Sequence, residues 1–183
     1  PAQALARAAT SLVGLLVHDV NDPYFSAIAA GAMGVARESD LLVMVANTHR
    51  APDLELDYIT RLGAQRARAI LVAGSPSTDP ERSAALAARL RDYAAGGGRV
   101  VSIGDQGPDI DAVVPDNAGG AEEAGRHLAA LGHRRVGVIN GPAGLVTVVD
   151  RLDGFRAGLA RAAAVPAEGG VTRGGGHPPP RPP

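Results

Sequence analysis

The chain shows a repeating pattern in which short apolar runs alternate with longer segments of helical periodicity. The apolar runs lie at 12–17, 41–46, 69–73 and 100–103, and a shorter run follows at 112–114. Runs of this length without polar alternation are typical of parallel strands that are covered on both faces. No hairpin signal separates them, so the pattern predicts an α/β fold with a parallel, doubly wound sheet.

The segments between these strands are predicted helices because their apolar residues recur every three to four positions. Proline opens each of the first three, which is typical of a first helical turn, at Pro23, Pro52 and Pro80. The predicted buried face of the first helix carries Phe25, Ile28, Ala29, Ala32 and Val35. The predicted buried face of the third carries Leu86, Leu90, Tyr93 and Ala94.

The strand and helix pattern starts again after Asn117. A strand is predicted at 135–139, between a helix that ends at Gly132 and a last helix. The predicted inner face of the earlier helix carries Ala121, Ala124, Leu128 and Leu131. The last helix is predicted to bury Leu152, Phe155 and Leu159. Its start, with Thr147 followed three residues later by Asp150, resembles a capping box with Asp in place of Glu.

The composition changes near Val165, where glycine and proline replace the apolar periodicity. We therefore expect residues 165–183 to form a disordered or aberrant tail. The pattern before the tail predicts a complete first lobe over 11–115 and a partial second lobe over 116–164.

Composition and charge exclude several classes of protein. An apolar fraction of 45% with a formal charge of -1 is typical of a globular protein, and it argues against direct nucleic-acid binding by this chain. The sequence has no cysteine and no apolar run long enough to cross a bilayer. Five scattered histidines lack the spacing of a metal site, so we expect no metal and no cofactor: His18, His49, His127, His133 and His177. No set of catalytic residues stands in a fitting context, so we expect no enzyme activity.

The loop at 18–22 is the candidate binding site because it follows the first buried strand. In a doubly wound sheet such a loop forms a wall of the ligand crevice. Asp19 supplies a carboxylate, which either contacts a ligand or bonds N–H groups of its own loop. Tyr24 and Phe25 are about 100° apart on a helix. We therefore expect Phe25 to lie mostly in the core and the Tyr24 ring to line the crevice.

Four segments together resemble the LacI/GalR family of transcriptional regulators, whose effector domain is similar to the periplasmic sugar-binding proteins. They are VGLLVHDVNDPYFSAIAAGAMGVARE, LLVMVANTHRAPDLELDYITRLGAQRARAILVAG, VVPDNAGGAEEAGRHLAALGHRRVGVINGP and RLDGFRAGL. Four segments in this order are far more specific than any single motif. The resemblance implies a type I periplasmic-binding-protein fold, with residues 1–10 as the end of a hinge. It also implies that the DNA-binding head and the end of the second lobe are missing.

The resemblance implies five effector contacts, two of them in the second lobe: Asp19, Tyr24, Phe25, Thr147 and Arg151. Thr147 is alternatively a helix cap, and Arg151 is alternatively a surface residue paired with Asp150 or Asp153.

Two departures from the family pattern bear on the effector. Asp22 stands where the family usually has Asn, and Leu145 and Val146 stand where relatives often have polar contacts. The extra negative charge of Asp22 argues against the family's usual contact at that position. The two apolar residues argue against a strongly charged effector and favour a neutral sugar or nucleoside.

The resemblance further implies the effector-sensing core of a cytoplasmic, DNA-binding transcriptional regulator that binds a small polar metabolite between two lobes. Such a regulator is a homodimer and contacts operator DNA only through a head domain that this chain does not contain. We expect the dimer face to include the helix from Tyr24 and the helix from Pro80. A periplasmic sugar-binding protein of a transporter shares this fold and is the alternative, and an enzyme on a similar sheet is a second rival.

Overall fold

The structure is a computed structural model that describes residues 10–161 and the backbone of residues 171–173. These residues fall into two compact units that divide between Val114 and Pro115, one residue before the predicted boundary of the lobes. The predicted hinge end, apart from Thr10, and most of the predicted tail lie outside the described residues.

The first unit is a five-stranded parallel sheet with three helices. The strands are β1 (Leu12–Val17), β2 (Leu42–Asn47), β3 (Ala69–Ala73), β4 (Arg99–Ile103) and β5 (Asp111–Val113). The helices are α1 (Pro23–Glu38), α2 (Pro52–Ala64) and α3 (Pro80–Ala95). The strand order is β2-β1-β3-β4-β5, and every neighbouring pair is parallel. The predicted α/β architecture is therefore confirmed.

The two faces of this sheet carry separate apolar cores because successive side chains of β1 point in opposite directions. Leu16 packs with Ile59 of α2 and Leu90 of α3, whereas Leu15 packs with Phe25 of α1 on the other face. Helix α1 thus lies across the sheet from α2 and α3. The two helices that we expect at the dimer face, α1 and α3, therefore lie on opposite faces of the sheet, and the dimer face itself stays a prediction.

The direction in which the chain adds strands to the sheet reverses between β1 and β3, because β2 lies on one side of β1 and β3 to β5 lie on the other. The chain passes from β1 through α1 to β2 on one side, then through α2 back across β1 to β3 on the other side. The loops that follow β1 and β3 therefore leave the sheet in opposite directions. Ligands of doubly wound sheets bind at the carboxyl ends of strands at such a switch point.

Strand β2 was predicted to be buried on both faces, and this prediction is wrong. It is an edge strand with β1 as its one neighbour, and its exposure alternates, with Leu42 70% and Met44 49% exposed. An unbroken apolar run indicates a strand, but it does not indicate how many neighbours the strand has.

Some residues at the borders of the predicted helix faces are exposed. Val35 is 67% exposed and Ala94 is also exposed. Each lies about 80° from the centre of its buried face at 3.6 residues per turn, so its side chain turns away from the sheet.

The second unit contains helices α4 (Asn117–Ala130) and α5 (Val146–Arg161) and the parallel strands β6 (Val138–Asn140) and β7 (Val171–Arg173). The two helices approach through glycine. A Cβ built at Gly154 or Gly158 of α5 would overlap a backbone carbonyl oxygen of α4, and one built at Gly125 of α4 would overlap a carbonyl oxygen of α5. This close approach buries Leu159 completely.

Three predictions for the second unit need correction. Helix α4 turns its glycine side toward α5, so Ala124 and Leu131 are exposed. Helix α5 begins at Val146, which places Thr147 inside the first turn and not at the cap. Strand β6 starts three residues later than predicted. The tail prediction also fails locally, because residues 171–173 pair with β6.

Among the described residues, no helix combines the length and the apolar character that a membrane span requires.

Tyr93 links α3 to the segment before β3, because its hydroxyl donates a hydrogen bond to the carbonyl oxygen of Ala67. Burial raises the pKa of Tyr93 above its ordinary value of 10.0. A phenol whose pKa is raised by folding stabilises the fold fully below pH 10.0, and this stabilisation is lost as the pH rises through the folded-state pKa.

Tyr93→Phe is therefore expected to lower the free energy of unfolding by about 1 kcal/mol at neutral pH through the lost hydrogen bond. Above about pH 10 the difference between wild type and variant should shrink, since the wild type loses its contribution there. Urea unfolding at about pH 8 and pH 10.5 measures both effects. A difference that stays constant between these pH values would contradict the assignment to Tyr93.

Candidate functional site

The loop after β1 is held by its own acidic side chains. Asp19 accepts hydrogen bonds through Oδ1 from the backbone N–H of Asn21 at 2.9 Å and from the side-chain amide of Asn21 at 3.2 Å. Asp22 caps α1 by accepting the backbone N–H of Tyr24 at 2.9 Å. The Ser26 hydroxyl donates to the carbonyl oxygen of Val20 at 2.8 Å. These internal bonds give the loop a defined shape.

These contacts bear on both carboxylates that the sequence singled out. Of the two predicted roles of Asp19, bonding within its own loop is confirmed for Oδ1. The contact of Asp19 with a ligand stays a prediction. Asp22 is the N-cap residue of α1, and Asn is an equally good N-cap residue. The difference from the family pattern at this position therefore leaves the start of α1 intact.

The two aromatic residues at the start of α1 are placed differently. Phe25 is buried at 6% exposure in the core between α1 and the sheet, whereas the Tyr24 ring is 49% exposed. Their ring centroids are 5.1 Å apart in an edge-to-face arrangement. The buried ring of Phe25 thus packs against the ring of Tyr24. The exposed part of Tyr24 offers an aromatic surface and a hydroxyl to a ligand.

His18 lies at the centre of a buried polar cluster that sequence reasoning missed. Its Nε2 is 3.4 Å from Oε1 of Glu55 in α2, and its ring tilts at 59° against the ring of Phe25, with centroids 5.6 Å apart. A Cβ at Gly74, just after β3, would overlap the imidazole. Thr48 is buried beside the pair, and its hydroxyl is 3.2 Å from the carbonyl oxygen of Val17 and 3.5 Å from Oε1 of Glu55.

The only signal for this cluster was a histidine at the end of an otherwise apolar strand. Its partner Glu55 lies in the helix that is predicted to begin at Pro52, far along the chain from His18. No motif of fixed residue spacing therefore connects His18 with Glu55. The parallel sheet brings the ends of β1 and β3 together, which the sequence pattern implies only after the strand order is known.

The loops after β3 and β4 are also joined. Gln106 is buried and its side-chain amide donates to the carbonyl oxygen of Gly74 at 3.4 Å. Gly104 has a φ of +107°, a backbone conformation that favours glycine. The Gln106 bond thus ties the carboxyl end of β3, where the His18 ring packs, to the loop after β4.

The predicted contacts of the second unit lie on its last helix. The guanidinium of Arg151 donates from Nε to Oδ1 of Asn117, at the start of α4, at 2.7 Å. The alternative pairing with an aspartate of its own helix is not what the structure contains, because Asp153 instead pairs with Arg156 at 3.7 Å. Thr147 lies one turn before Arg151, and both are therefore on the same side of α5.

Within the described part of the chain, no group of three or more His, Cys, Asp or Glu side chains could hold a metal ion. The carboxyl ends of the strands present polar side chains that can form hydrogen bonds. The exposed ring of Tyr24 adds one aromatic surface. Such an arrangement can bind and orient a small polar molecule.

Comparison with known proteins identifies the family. The family described as periplasmic binding proteins and sugar binding domain of LacI family matches residues 10–168. The HTH-type transcriptional repressor PurR of Edwardsiella ictaluri is 30% identical over 166 residues, which cover 90% of this chain and 47% of PurR. The HTH-type transcriptional regulator GalR of Salmonella typhimurium is 31% identical over 161 residues, which cover 87% of this chain and 45% of GalR.

A solved structure supports the same conclusion. The complex of the transcriptional regulator CelR with cellobiose has a TM-score of 0.70 and 25% sequence identity, and covers 94% of this chain and 54% of CelR. The chain spans about half the length of the curated relatives it matches. With a family match over most of its residues, this chain belongs to the periplasmic binding proteins and sugar-binding domains of the LacI family.

Proposed function

We propose that this chain is the effector-sensing core of a LacI-type, DNA-binding transcriptional regulator and that its effector is a small polar metabolite. The observation that carries the proposal is the loop after β1, which lies at the switch point of the sheet with Asp19 and the half-exposed Tyr24. This is the position at which doubly wound folds bind their ligands.

The proposed effector contacts combine charge, aromatic surface and hydroxyl groups. Asp19 retains Oδ2 as an acceptor for a ligand hydroxyl, since both hydrogen bonds from Asn21 go to Oδ1. Tyr24 stacks on a sugar ring or base, and Phe25 acts mainly by supporting it. Thr147 and Arg151 supply further contacts from the second unit. Arg151 uses Nε on Asn117, so its terminal amino groups can bond hydroxyls.

A sugar or nucleoside-like effector fits these groups best. The family description names sugar binding, and CelR was solved with cellobiose. The first turn of α5 begins with the apolar Val146, which favours a neutral over a strongly charged partner there.

The relatives favour a regulator over a transporter component, because PurR and GalR are HTH-type regulators. They equally favour a binding protein over an enzyme. In the proposed mechanism, an effector that prefers one arrangement of the two lobes shifts the regulator toward it. The shift cannot exceed the difference in affinity for the two states.

A thermal unfolding screen tests this function. A panel of free mono- and disaccharides, with cellobiose included, and of nucleosides is added to the 183-residue chain. A ligand present at 100 times its Kd stabilises the folded state by about 2.7 kcal/mol, which should raise the Tm by roughly 5 to 10 °C. If no panel member shifts the Tm at millimolar concentration, the proposal fails.

We further propose that the regulator is a cytoplasmic homodimer and that operator DNA binds to a head domain outside this chain. Exposed apolar side chains support a dimer face on α1 and the edge strand β2, namely Met33, Val35, Leu42 and Met44. A paired, two-fold arrangement is what recognition of symmetric operator half-sites requires.

Met44→Glu is expected to weaken this dimer by at least about tenfold in Kd, because a charge would be buried without a partner. Val113→Glu is the matched control, since Val113 is 62% exposed on the opposite edge strand β5. Sedimentation equilibrium measures both variants. Equal dimerisation of the two variants would place the interface elsewhere.

A further inference from the structure

The residue directly before Asp19 is a buried histidine that the proposed effector contacts leave unused. Although it begins a surface loop, His18 is only 9% exposed. Its ring is enclosed from three directions by Glu55 of α2, Phe25 of α1 and the backbone of Gly74 after β3. Three separate elements thus meet on one side chain at the switch point of the sheet.

The polar contacts explain why an imidazole can occupy this slot. Burying a polar ring costs free energy unless its N–H groups find partners. Nε2 lies 3.4 Å from Oε1 of Glu55, so the polar edge of the ring faces a carboxylate and not apolar side chains. The buried Thr48 hydroxyl lies near the same carboxylate oxygen, at 3.5 Å, and helps to hold it.

The packing leaves little freedom for the ring to move. The overlap that a Cβ at Gly74 would make with the imidazole means that the ring touches the β3 backbone. The Phe25 ring closes the slot from α1. A side chain held in this way also fixes the direction in which its own backbone continues.

We propose that His18 is the positioning residue of the effector loop. Since His18 and Asp19 share a peptide bond, anchoring the His18 ring to Glu55 and Gly74 sets where the Asp19 carboxylate points. The link also connects the loop to the first turn of α2. The inference rests on the proposed function only in taking Asp19 as an effector contact.

Backbone order parameters from NMR relaxation test the anchoring without any ligand. In the wild-type 183-residue chain we expect values of about 0.85 at Asp19, Val20 and Asn21, typical of rigid backbone. Glu55→Ala removes the polar anchor and Gly74→Ala pushes the ring from its slot. In both variants these values should fall to about 0.6 or lower, while the values of the β1 core residues stay unchanged.

Matched controls separate anchoring from general effects of the substitutions. Asp53→Ala removes another acidic residue from the first turn of α2, so it reproduces the loss of charge near the helix dipole. Gly34→Ala adds a methyl group in open space on α1. Glu55→Gln keeps an acceptor oxygen for the imidazole. All three should retain the wild-type order parameters.

Order parameters report on the folded molecules. If His18 only stabilised the fold, the Glu55→Ala and Gly74→Ala substitutions would lower the free energy of unfolding and leave the loop rigid. A rigid loop in Glu55→Ala would overturn the inference even if Gly74→Ala failed to fold. The result is independent of the ligand screen. Loop mobility with no ligand found would refute the proposed function alone, and ligand binding with a rigid loop would refute the positioning role alone.

Discussion

Replacing Gly158 by alanine is expected to destabilise the second unit by about 3 kcal/mol, the upper range for overpacking a core. The methyl group would overlap the carbonyl oxygen of Glu122, and this backbone atom cannot move aside as a flexible side chain can. The gain in helix propensity, about 1 kcal/mol, offsets only part of the cost. Helices α4 and α5 would have to move apart, which would expose Leu159.

Hydrogen exchange of the α4 amides measures this effect, because it reports the opening free energy of the second unit separately from that of the first. Gly120→Ala is the matched control on α4, since its Cβ would meet open space. It should slow exchange slightly through helix propensity. Unchanged protection in Gly158→Ala would mean that α4 and α5 are farther apart than the structure has them.

The second large effect is expected from Leu15→Ala in the central strand β1. Leu15 is fully buried, so truncation removes apolar contacts and leaves a cavity, at a cost of about 2–5 kcal/mol. Leu42→Ala is the same chemical change on the adjoining strand β2. Because Leu42 is 70% exposed, its substitution should change the free energy of unfolding by no more than about 0.5 kcal/mol in the monomer.

Urea unfolding at a protein concentration low enough to favour the monomer compares the two variants. Similar losses for Leu15→Ala and Leu42→Ala would show that β2 is covered in the isolated chain. This outcome would contradict its position as an edge strand.

The same pair of strands shows what the sequence can predict about the fold. Local patterns predicted both strands within one residue, since an apolar run bounded by loop residues depends on neighbours in the sequence. The number of strands beside each one depends on pairing across the chain. The sequence therefore indicated β2 correctly as a strand and wrongly as a covered one.

Helix faces show a related limit. Counting apolar positions placed Ala124 on the inner face of α4, because alanine is apolar and glycine has no side chain to count. The structure turns Gly125 inward, since only glycine permits the backbone contact with α5. The face of a helix that packs by close approach is thus marked by its smallest residues, a signal that apolar periodicity misses.

For the site, the family resemblance and the strand-end rule led to the loop that carries Asp19 and to Tyr24 in the first turn of α1. They did not lead to His18, because its contact with Glu55 joins residues far apart in the sequence. Arg151 was considered with partners on its own helix, whereas its bond goes to Asn117 on another. Contacts within one turn or loop were predictable, and contacts between elements required the folded chain.

The measurement that tests the central claim most directly is an NMR titration of the 183-residue chain with the panel compound that raises the Tm most. We expect shift changes at Asp19, Tyr24, Thr147 and Arg151. Asp19→Ala should weaken binding about 10- to 100-fold, which corresponds to the loss of one hydrogen bond to a charged group.

Asp57→Ala is the control for this titration, because Asp57 is an exposed acid of α2 that pairs with Arg61 at 2.7 Å. It should bind the compound as the wild type does. Shift changes confined to other surfaces, with equal affinities for wild type, Asp19→Ala and Asp57→Ala, would contradict the placement of the effector site at the loop after β1.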